Sequence, residues 1–247
     1  MSKDSFSFRQ FTVRQERCAM KVGTDAVLLG AWAPGGEHVR ALLDAGAGCG
    51  VVALLMAGRC PQARVAAVEL DPAAAEDCRA NVAASPWANR ISVECQDVTA
   101  YQPAEPVDLL VSNPPFFTET LRAPDQRRAA ARHGDVLSPL TVIDLGARVL
   151  SDDGLLAMIT DCRSRDDILF HAALRQLNPL RITAVSSRAG KPPFRLLWLM
   201  GRHSGPLVTD TLAIRTAENA WSPEYADLVS PYYLRMPGTN DNKRTTE

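Results

Sequence analysis

The sequence predicts a doubly wound α/β fold: a seven-stranded, mostly parallel sheet with helices on both faces and one antiparallel edge strand. Three observations carry that prediction. Seven short runs are apolar at nearly every position, the pattern of strands buried on both faces. Helix-like stretches separate most of them. A glycine-rich turn with Gly46, Gly48 and Gly50 follows the first run, where sheets of this kind receive nucleotide-like ligands.

The strand candidates in chain order are "VRALLD" (39–44), "RVAAVEL" (64–70), "ISVEC" (91–95) and "VDLLVS" (107–112), then "LLAMIT" (155–160), "RITAVS" (181–186) and "RLLWLMG" (195–201). Helices are expected over 51–59, 72–84, 138–150 and 164–177. Asp71-Pro72 and Ser138-Pro139 each pair an N-cap residue with proline at the first helical position. The last two strands are joined only by "SRAGKPPF", too short for a crossover helix, so they must pair antiparallel. The expected organisation is a capping segment over 1–38, one domain over 39–236 and a disordered polar tail over 237–247.

Composition narrows the function. With 247 residues, 46% hydrophobic and 22% charged, the chain suits a single globular domain. No run reaches the roughly 18 apolar residues needed to cross a bilayer, and "MSKDSFSFRQ" lacks the apolar core of a signal peptide. A cytoplasmic protein without a membrane partner is expected, and a monomer. Cys18, Cys49, Cys60, Cys78, Cys95 and Cys162 include no CxxC pair and the four histidines are isolated, so neither a disulfide framework nor a metal site is expected.

A net charge of −1 argues against binding nucleic acid through overall charge, yet the cations are unevenly spread. Between Ile168 and Thr209 there is no Asp or Glu, while Arg175, Arg181, Arg188, Lys191, Arg195 and Arg202 fall inside. Arg122, Arg127, Arg128 and Arg132 form a second cluster with only Asp125 for company. Either cluster could be no more than a solvated face. Two near one candidate site point to a polyanion.

The candidate site begins at "LLDAGAGCGVVALL". Alternate glycines let backbone approach a ligand, and the helix start offers unpaired N–H groups. The spacing is GxGxG rather than GxGxxG, and Asp44 stands two residues before Gly46. A dinucleotide pyrophosphate gains nothing from that carboxylate; a ligand carrying ammonium and sulfonium charges does. Glu69 ends the second strand, where it can accept both ribose hydroxyls, and Asp97 follows the third, where it can accept from an adenine amino group. Together they predict S-adenosylmethionine as cofactor.

"SNPPFF" ends the fourth strand beside that pocket. Two prolines lock the turn and aim the Asn113 side chain and the Pro114 carbonyl into it as fixed acceptors. They suit methylation of a planar amino nitrogen. Its lone pair is delocalised, and two acceptors on its N–H bonds favour a more tetrahedral nitrogen facing the sulfonium methyl. Phe116 is expected to stack on the ring that carries the amine, while Phe117 is read as core.

These motifs resemble the class I, Rossmann-like methyltransferases that act on amino groups. More narrowly, the chain is similar to the bacterial tRNA1(Val) adenine-37 N6-methyltransferase family. The match runs through "FSFRQFTVRQERCAMKVGTDAVLLGAW", "AVELDPAAAEDCRANVAASPW", "SNPPFF", "RRAAARH", "KPPFRLLWLMGR" and "LAIRTAENAWSPEYADLVSPYYLRM", most of residues 6–236. The resemblance implies tRNA as partner and that Lys21, Thr24 and Asp25 close over the methionine end of the cofactor. It also implies that Arg14, Arg122, Arg127, Arg128, Arg132, Arg188, Lys191 and Arg195, with Arg9 and Arg17, grip RNA phosphates. Departures are Phe116 where tyrosine is usual, Cys49 where threonine is more common, and "ITDCRSRDD" where a Leu-Pro turn is usual.

Rival readings share the fold. A protein-glutamine N5-methyltransferase carries a helical recognition domain ahead of the core, and only about 40 residues precede strand one here. A DNA adenine methyltransferase needs a duplex-reading segment for which no stretch is spare. A ribosomal-RNA guanine N2-methyltransferase is the nearest enzymatic rival. A module that binds the cofactor without turnover has no reason to retain Asn113, Pro114, Phe116 and three strand-end acids together.

Overall fold

The structure, a computed structural model, describes residues 4–18, 20–115 and 137–236. It opens with an antiparallel hairpin, β1 (Ser5–Ser7) and β2 (Thr12–Arg14), followed by α1 (Thr24–Trp32). An alternating series comes next: β3 (Ala41–Ala45), α2 (Val51–Arg59), β4 (Arg64–Glu69), α3 (Pro72–Ala83), β5 (Ile91–Cys95) and β6 (Val107–Ser112). After the segment outside the described residues come α4 (Pro139–Val149), β7 (Leu150–Asp161), α5 (Arg165–Leu174), β8 (Asn178–Ser186) and β9 (Pro193–Gly201). The chain closes with β10 (Val208–Ala213) and α6 (Pro223–Val229). The tail at 237–247 lies outside the described residues. No described helix is long and apolar enough to cross a membrane.

Three helices start on one device, an oxygen-bearing cap followed by proline. Asp71 accepts the Ala73 N–H at 3.1 Å ahead of α3, and Ser222 accepts that of Tyr225 at 3.1 Å ahead of α6. At α4 the cap is reciprocal: Ser138 Oγ accepts the Thr141 N–H at 3.2 Å while Thr141 Oγ1 accepts the Ser138 N–H at 2.7 Å. Each satisfies N–H groups that a helix start leaves without an internal partner.

The main sheet has eight strands in the order β10-β8-β9-β7-β6-β3-β4-β5. All pairs are parallel except those made by β9, which runs against both β7 and β8; the short link at 187–192 requires the pairing with β8 to be antiparallel. The expected antiparallel strand is therefore present, but it is not an edge. The edge belongs to an eighth strand, β10, parallel to β8. The physical reason is burial. Leu197, Trp198 and Met200 of β9 are fully enclosed, which an edge strand cannot offer. In β10, "VTDTLA", only Leu212 is buried, so no continuous apolar run marked it as a strand.

Helices α1, α2 and α3 cover one face of the sheet around Val27, Leu28, Leu54, Leu55 and Cys78. Helices α4 and α5 cover the other, packing Val142, Ile143 and Ile168 on Leu43, Leu110 and Met158. Each fully buried aliphatic side chain contributes about 1.5–3 kcal/mol. The N-terminal hairpin shares the first core. Phe8 stacks on Phe11 at 4.6 Å and on Tyr233 at 6.0 Å, and its backbone bridges Tyr233. One buried amide joins that hairpin to the glycine turn: Asn81 accepts the Arg14 N–H at 2.7 Å and donates to the carbonyls of Arg14 and Cys49 at 2.8 and 2.9 Å.

Candidate active site

Strand register brings the two sequence motifs together. Ala45 of β3 pairs with Ser112 of β6, and Ser112 Oγ donates to the Ala45 carbonyl at 2.8 Å. The next residues are Gly46 and Asn113, so the glycine turn and the proline corner leave the sheet side by side, about one strand spacing of 4.8 Å apart. Parallel pairing of β4 and β5 brings Glu69 and Asp97 to the same end.

The glycine turn is built from left-handed backbone. Gly46, Gly48 and Gly50 have φ of 76°, 56° and 86°, a region that costs other residues about 1–2 kcal/mol. A Cβ on Gly50 would stand 2.8 Å from Cys78 Sγ, whereas one on Gly48 would meet nothing within 4 Å. At Gly46 a Cβ would stand 2.5 Å from Leu137 Cδ2, so packing crowds two of the three glycines and Gly48 keeps a space open. Glu69 supports the turn from β4, accepting the Gly48 N–H at 2.7 Å on Oε2 and the Asp71 N–H at 2.9 Å on Oε1. Asp97 Oδ1 accepts both the backbone N–H and the hydroxyl of Thr99 at 2.8 Å.

Asp44 lies behind the turn rather than in the open cleft. Its side chain belongs to a residue 1% exposed, and Oδ2 accepts the Ala53 N–H at 2.9 Å. Burial pushes its carboxyl up to about 7, against the opposing pull of that hydrogen bond. In this structure the Asp44 carboxylate grips the first turns of α2. Cys49, Cys18 and Cys78 surround the same turn. The hydrogen bond between Cys18 and Cys49 and then burial push the Cys18 thiol up, and burial does the same to Cys78.

Asn113, Pro114 and Pro115 line a cavity of about 570 Å³. Lys21, Gly23, Asp25 and Ala26 line it as well, with Asp161, Arg163 and Arg195. Lys21 turns its ammonium toward the carbonyls of Gln15 and Glu16 within its own segment. Thr24 opens α1, and Asp25 accepts from Arg195 Nε at 2.9 Å. Phe116 lies outside the described residues. A slightly larger hollow of about 630 Å³ opens against Arg64, Ile91 and Val107 and shares no residue with either motif.

Among the described residues, the expected phosphate-gripping cations are spread over several elements. Arg122, Arg127, Arg128 and Arg132 lie outside the described residues. Arg188 and Lys191 occupy the β8–β9 turn, at the sheet end that carries Asn113, with Arg188 donating to Asn219 Oδ1 at 2.9 Å. Arg14 is exposed on β2. Arg195 is not a surface cation: it is 21% exposed and paired with Asp25. Arg175 pairs with Asp144 at 2.5 Å, Arg181 with Asp210 at 2.5 Å, and Arg202 donates to the Ala147 carbonyl at 2.7 Å. Arg9 donates to the Ser230 carbonyl at 3.0 Å, and Arg17 pairs with Glu76. The window without acids was acid-free only along the chain; folding brings Asp144 and Asp210 to it from outside.

Four residues of the site left little trace in sequence. Leu70 is 59% exposed beside Glu69. Asn81 anchors the glycine turn from α3. Asp161 and Arg163 border the cavity from the "ITDCRSRDD" segment, whose departure from the family pattern was the one available signal. Hydrogen bonds from Arg163 hold the Asp161 carboxyl below its usual range. Among the described residues no cluster of His, Cys, Asp and Glu forms a metal site.

Residues 22–161 match the family model described as "Methyltransferase small domain". The chain is 41% identical over 236 residues to the tRNA1(Val) (adenine(37)-N6)-methyltransferase of Phocaeicola vulgatus, covering 96% of this chain and 100% of that protein. It is 43% identical over 246 residues to the protein of the same name from Porphyromonas gingivalis, covering 94% and 96%. Among solved structures, a predicted O-methyltransferase from Agrobacterium tumefaciens superposes with a TM-score of 0.67 at 22% identity, over 84% of this chain and 96% of that one. At that identity the likeness is one of fold.

Proposed function

The chain belongs to the tRNA1(Val) (adenine(37)-N6)-methyltransferase family, and on that premise we propose that it methylates N6 of an adenine in tRNA, adenine 37 of tRNA1(Val). The observation that carries the reading is the pairing of Ala45 with Ser112, which sets the glycine turn beside the Asn113 corner. The reading extends to a cytoplasmic enzyme acting as a monomer, with residues 1–38 capping the cofactor.

The site suits S-adenosylmethionine. The side of Gly48 that a Cβ would fill is open, Glu69 at the end of β4 is assigned the ribose hydroxyls, and Asp97 follows the neighbouring strand. Leu70 adds an apolar surface for the adenine. When bound, the cofactor supplies an electrophilic methyl group on a sulfonium.

Asn113 Oδ1 and the Pro114 carbonyl then accept the two N–H bonds of the target amine. Prolines at 114 and 115 fix φ near −65° at consecutive residues and so restrict the direction of the Pro114 carbonyl. Holding both hydrogens turns the nitrogen lone pair out of conjugation, and that stabilisation grows as positive charge develops on nitrogen. The methylated ammonium is strongly acidic, so its proton passes to solvent without a dedicated base. Phe116 is assigned the stacking face for the extruded base.

Nucleoside mass spectrometry on tRNA and rRNA from cells with and without the gene tests the proposal. Loss of N6-methyladenosine from tRNA, not restored by Asn113→Ala, is the expected result. Loss of N2-methylguanosine from rRNA instead would transfer the assignment to the guanine enzyme.

A further inference from the structure

Beside the Asn113 cavity, four charged side chains from separate parts of the chain are joined. Arg195 Nε donates to Asp25 Oδ2 at 2.9 Å, and Arg195 Nη1 lies 3.8 Å from Asp161 Oδ2. Asp161 Oδ1 accepts the Arg163 backbone N–H and Arg163 Nε, both at 2.8 Å, while Oδ2 accepts Arg163 Nη2 at 3.1 Å. Exposure separates their duties. The side chains of Asp25, Asp161 and Arg195 are 19%, 19% and 21% exposed, against 69% for Arg163. The first three tie α1 to the ends of β7 and β9; the fourth faces outward.

Arg163 is not a loose surface arginine. A carboxylate holds it by two nitrogens, and that same carboxylate caps the short turn Cys162–Ser164. The guanidinium plane is thereby set, and its Nη1 edge has no hydrogen-bond partner among the described residues. Such a fork matches two oxygens of a phosphate. The charged residues lining the cavity are Lys21, Arg163 and Arg195 against Asp25 and Asp161, a balance of one positive charge. Lys21 and Asp25, which the resemblance sets over the methionine end of the cofactor, line the same cavity, so the cofactor carboxylate is the competing anion and cofactor affinity is read alongside RNA affinity.

We infer that Arg163 is a binding contact to the RNA, receiving on its outer edge a backbone phosphate next to the nucleotide whose base enters the Asn113 cavity. This rests on the RNA-methylation reading above. Asp161 is then a positioning residue, acting through Arg163.

The test uses the full chain, the anticodon stem-loop of tRNA1(Val) and the full-length transcript. Affinity for the stem-loop is measured by fluorescence anisotropy across a salt series, steady-state kinetics on the transcript, and S-adenosylmethionine binding by calorimetry. Arg163→Ala should weaken stem-loop binding about tenfold and lower the slope of log affinity against log salt by about one. The KM for tRNA should rise with it, while kcat and cofactor affinity stay within about twofold, which also shows that the variant is folded. Arg163→Lys should restore the slope but not the full affinity, because it keeps the charge and loses the fork. Unchanged affinity and slope in Arg163→Ala would overturn the inference, as would weakened cofactor binding. A wild type that binds the stem-loop but methylates no tRNA adenine would sink the parent reading, and the salt slopes would still decide on Arg163.

Discussion

The buried carboxylate of Asp44 holds the backbone N–H of Ala53 at 2.9 Å, tying the end of β3 to the first turns of α2 across the glycine turn. Because burial raises its carboxyl to about 7 from 3.8, the folded protein retains a proton there that the unfolded chain releases. Between about pH 4 and pH 7 the folded state binds more protons, so this group makes stability fall as pH rises through that window. The full loss is of the order of 4 kcal/mol. Asp44→Asn, which keeps an acceptor for Ala53, should remove that dependence. Urea unfolding of both proteins at pH 5 and pH 8 measures it, and parallel pH profiles would refute the assignment.

Two neighbouring glycines should respond differently to alanine. At Gly50 a Cβ meets Cys78 Sγ at 2.8 Å on top of a φ of 86°, and a loss of about 2–4 kcal/mol is expected. At Gly48 only the backbone strain of about 1–2 kcal/mol applies, yet the added methyl enters the space left for the cofactor. Gly48→Ala should therefore stay folded and lose S-adenosylmethionine binding by calorimetry, whereas Gly50→Ala should first lose stability.

Asn81→Ala removes three hydrogen bonds and leaves the Arg14 N–H and the Cys49 carbonyl without their partner. Each buried orphan costs about 1–3 kcal/mol. A drop of about 2–5 kcal/mol in chemical denaturation is expected, with weaker cofactor binding because Cys49 lies within the glycine turn. Full retention of both would show that the hairpin and the turn are not coupled through this amide.

Arg195 and Asp25, about four-fifths buried, should be energetically coupled. A double-mutant cycle with Arg195→Ala and Asp25→Ala should return about 1–3 kcal/mol. If Arg195 gripped RNA phosphate instead, the cycle would give no coupling in the free protein, and Arg195→Ala would lower the salt slope of RNA binding as Arg163→Ala is expected to do.

Much of the site could be read from local patterns, since a glycine turn and an NPP corner each do their work within a few consecutive residues. Gly46, Gly48, Gly50, Asn113 and Pro114 depend on backbone geometry that their own neighbours impose. Charge partnerships could not be read that way. The cations of 168–209 looked unopposed because Asp144 and Asp210 lie outside the window, and Arg195 looked like a surface cation because Asp25 is 170 residues away.

By itself the sequence determined the parallel core, the reversal of β9, and the glycine turn and proline corner that follow β3 and β6, because apolar continuity, link length and proline are local constraints. Only the tertiary structure decided that β9 lies inside the sheet, that β10 closes its edge, that Asp44 supports the turn from behind, and that Arg163 stands at the cavity. Each of those depends on which distant segments exclude water from one another, a quantity that no stretch of chain carries alone.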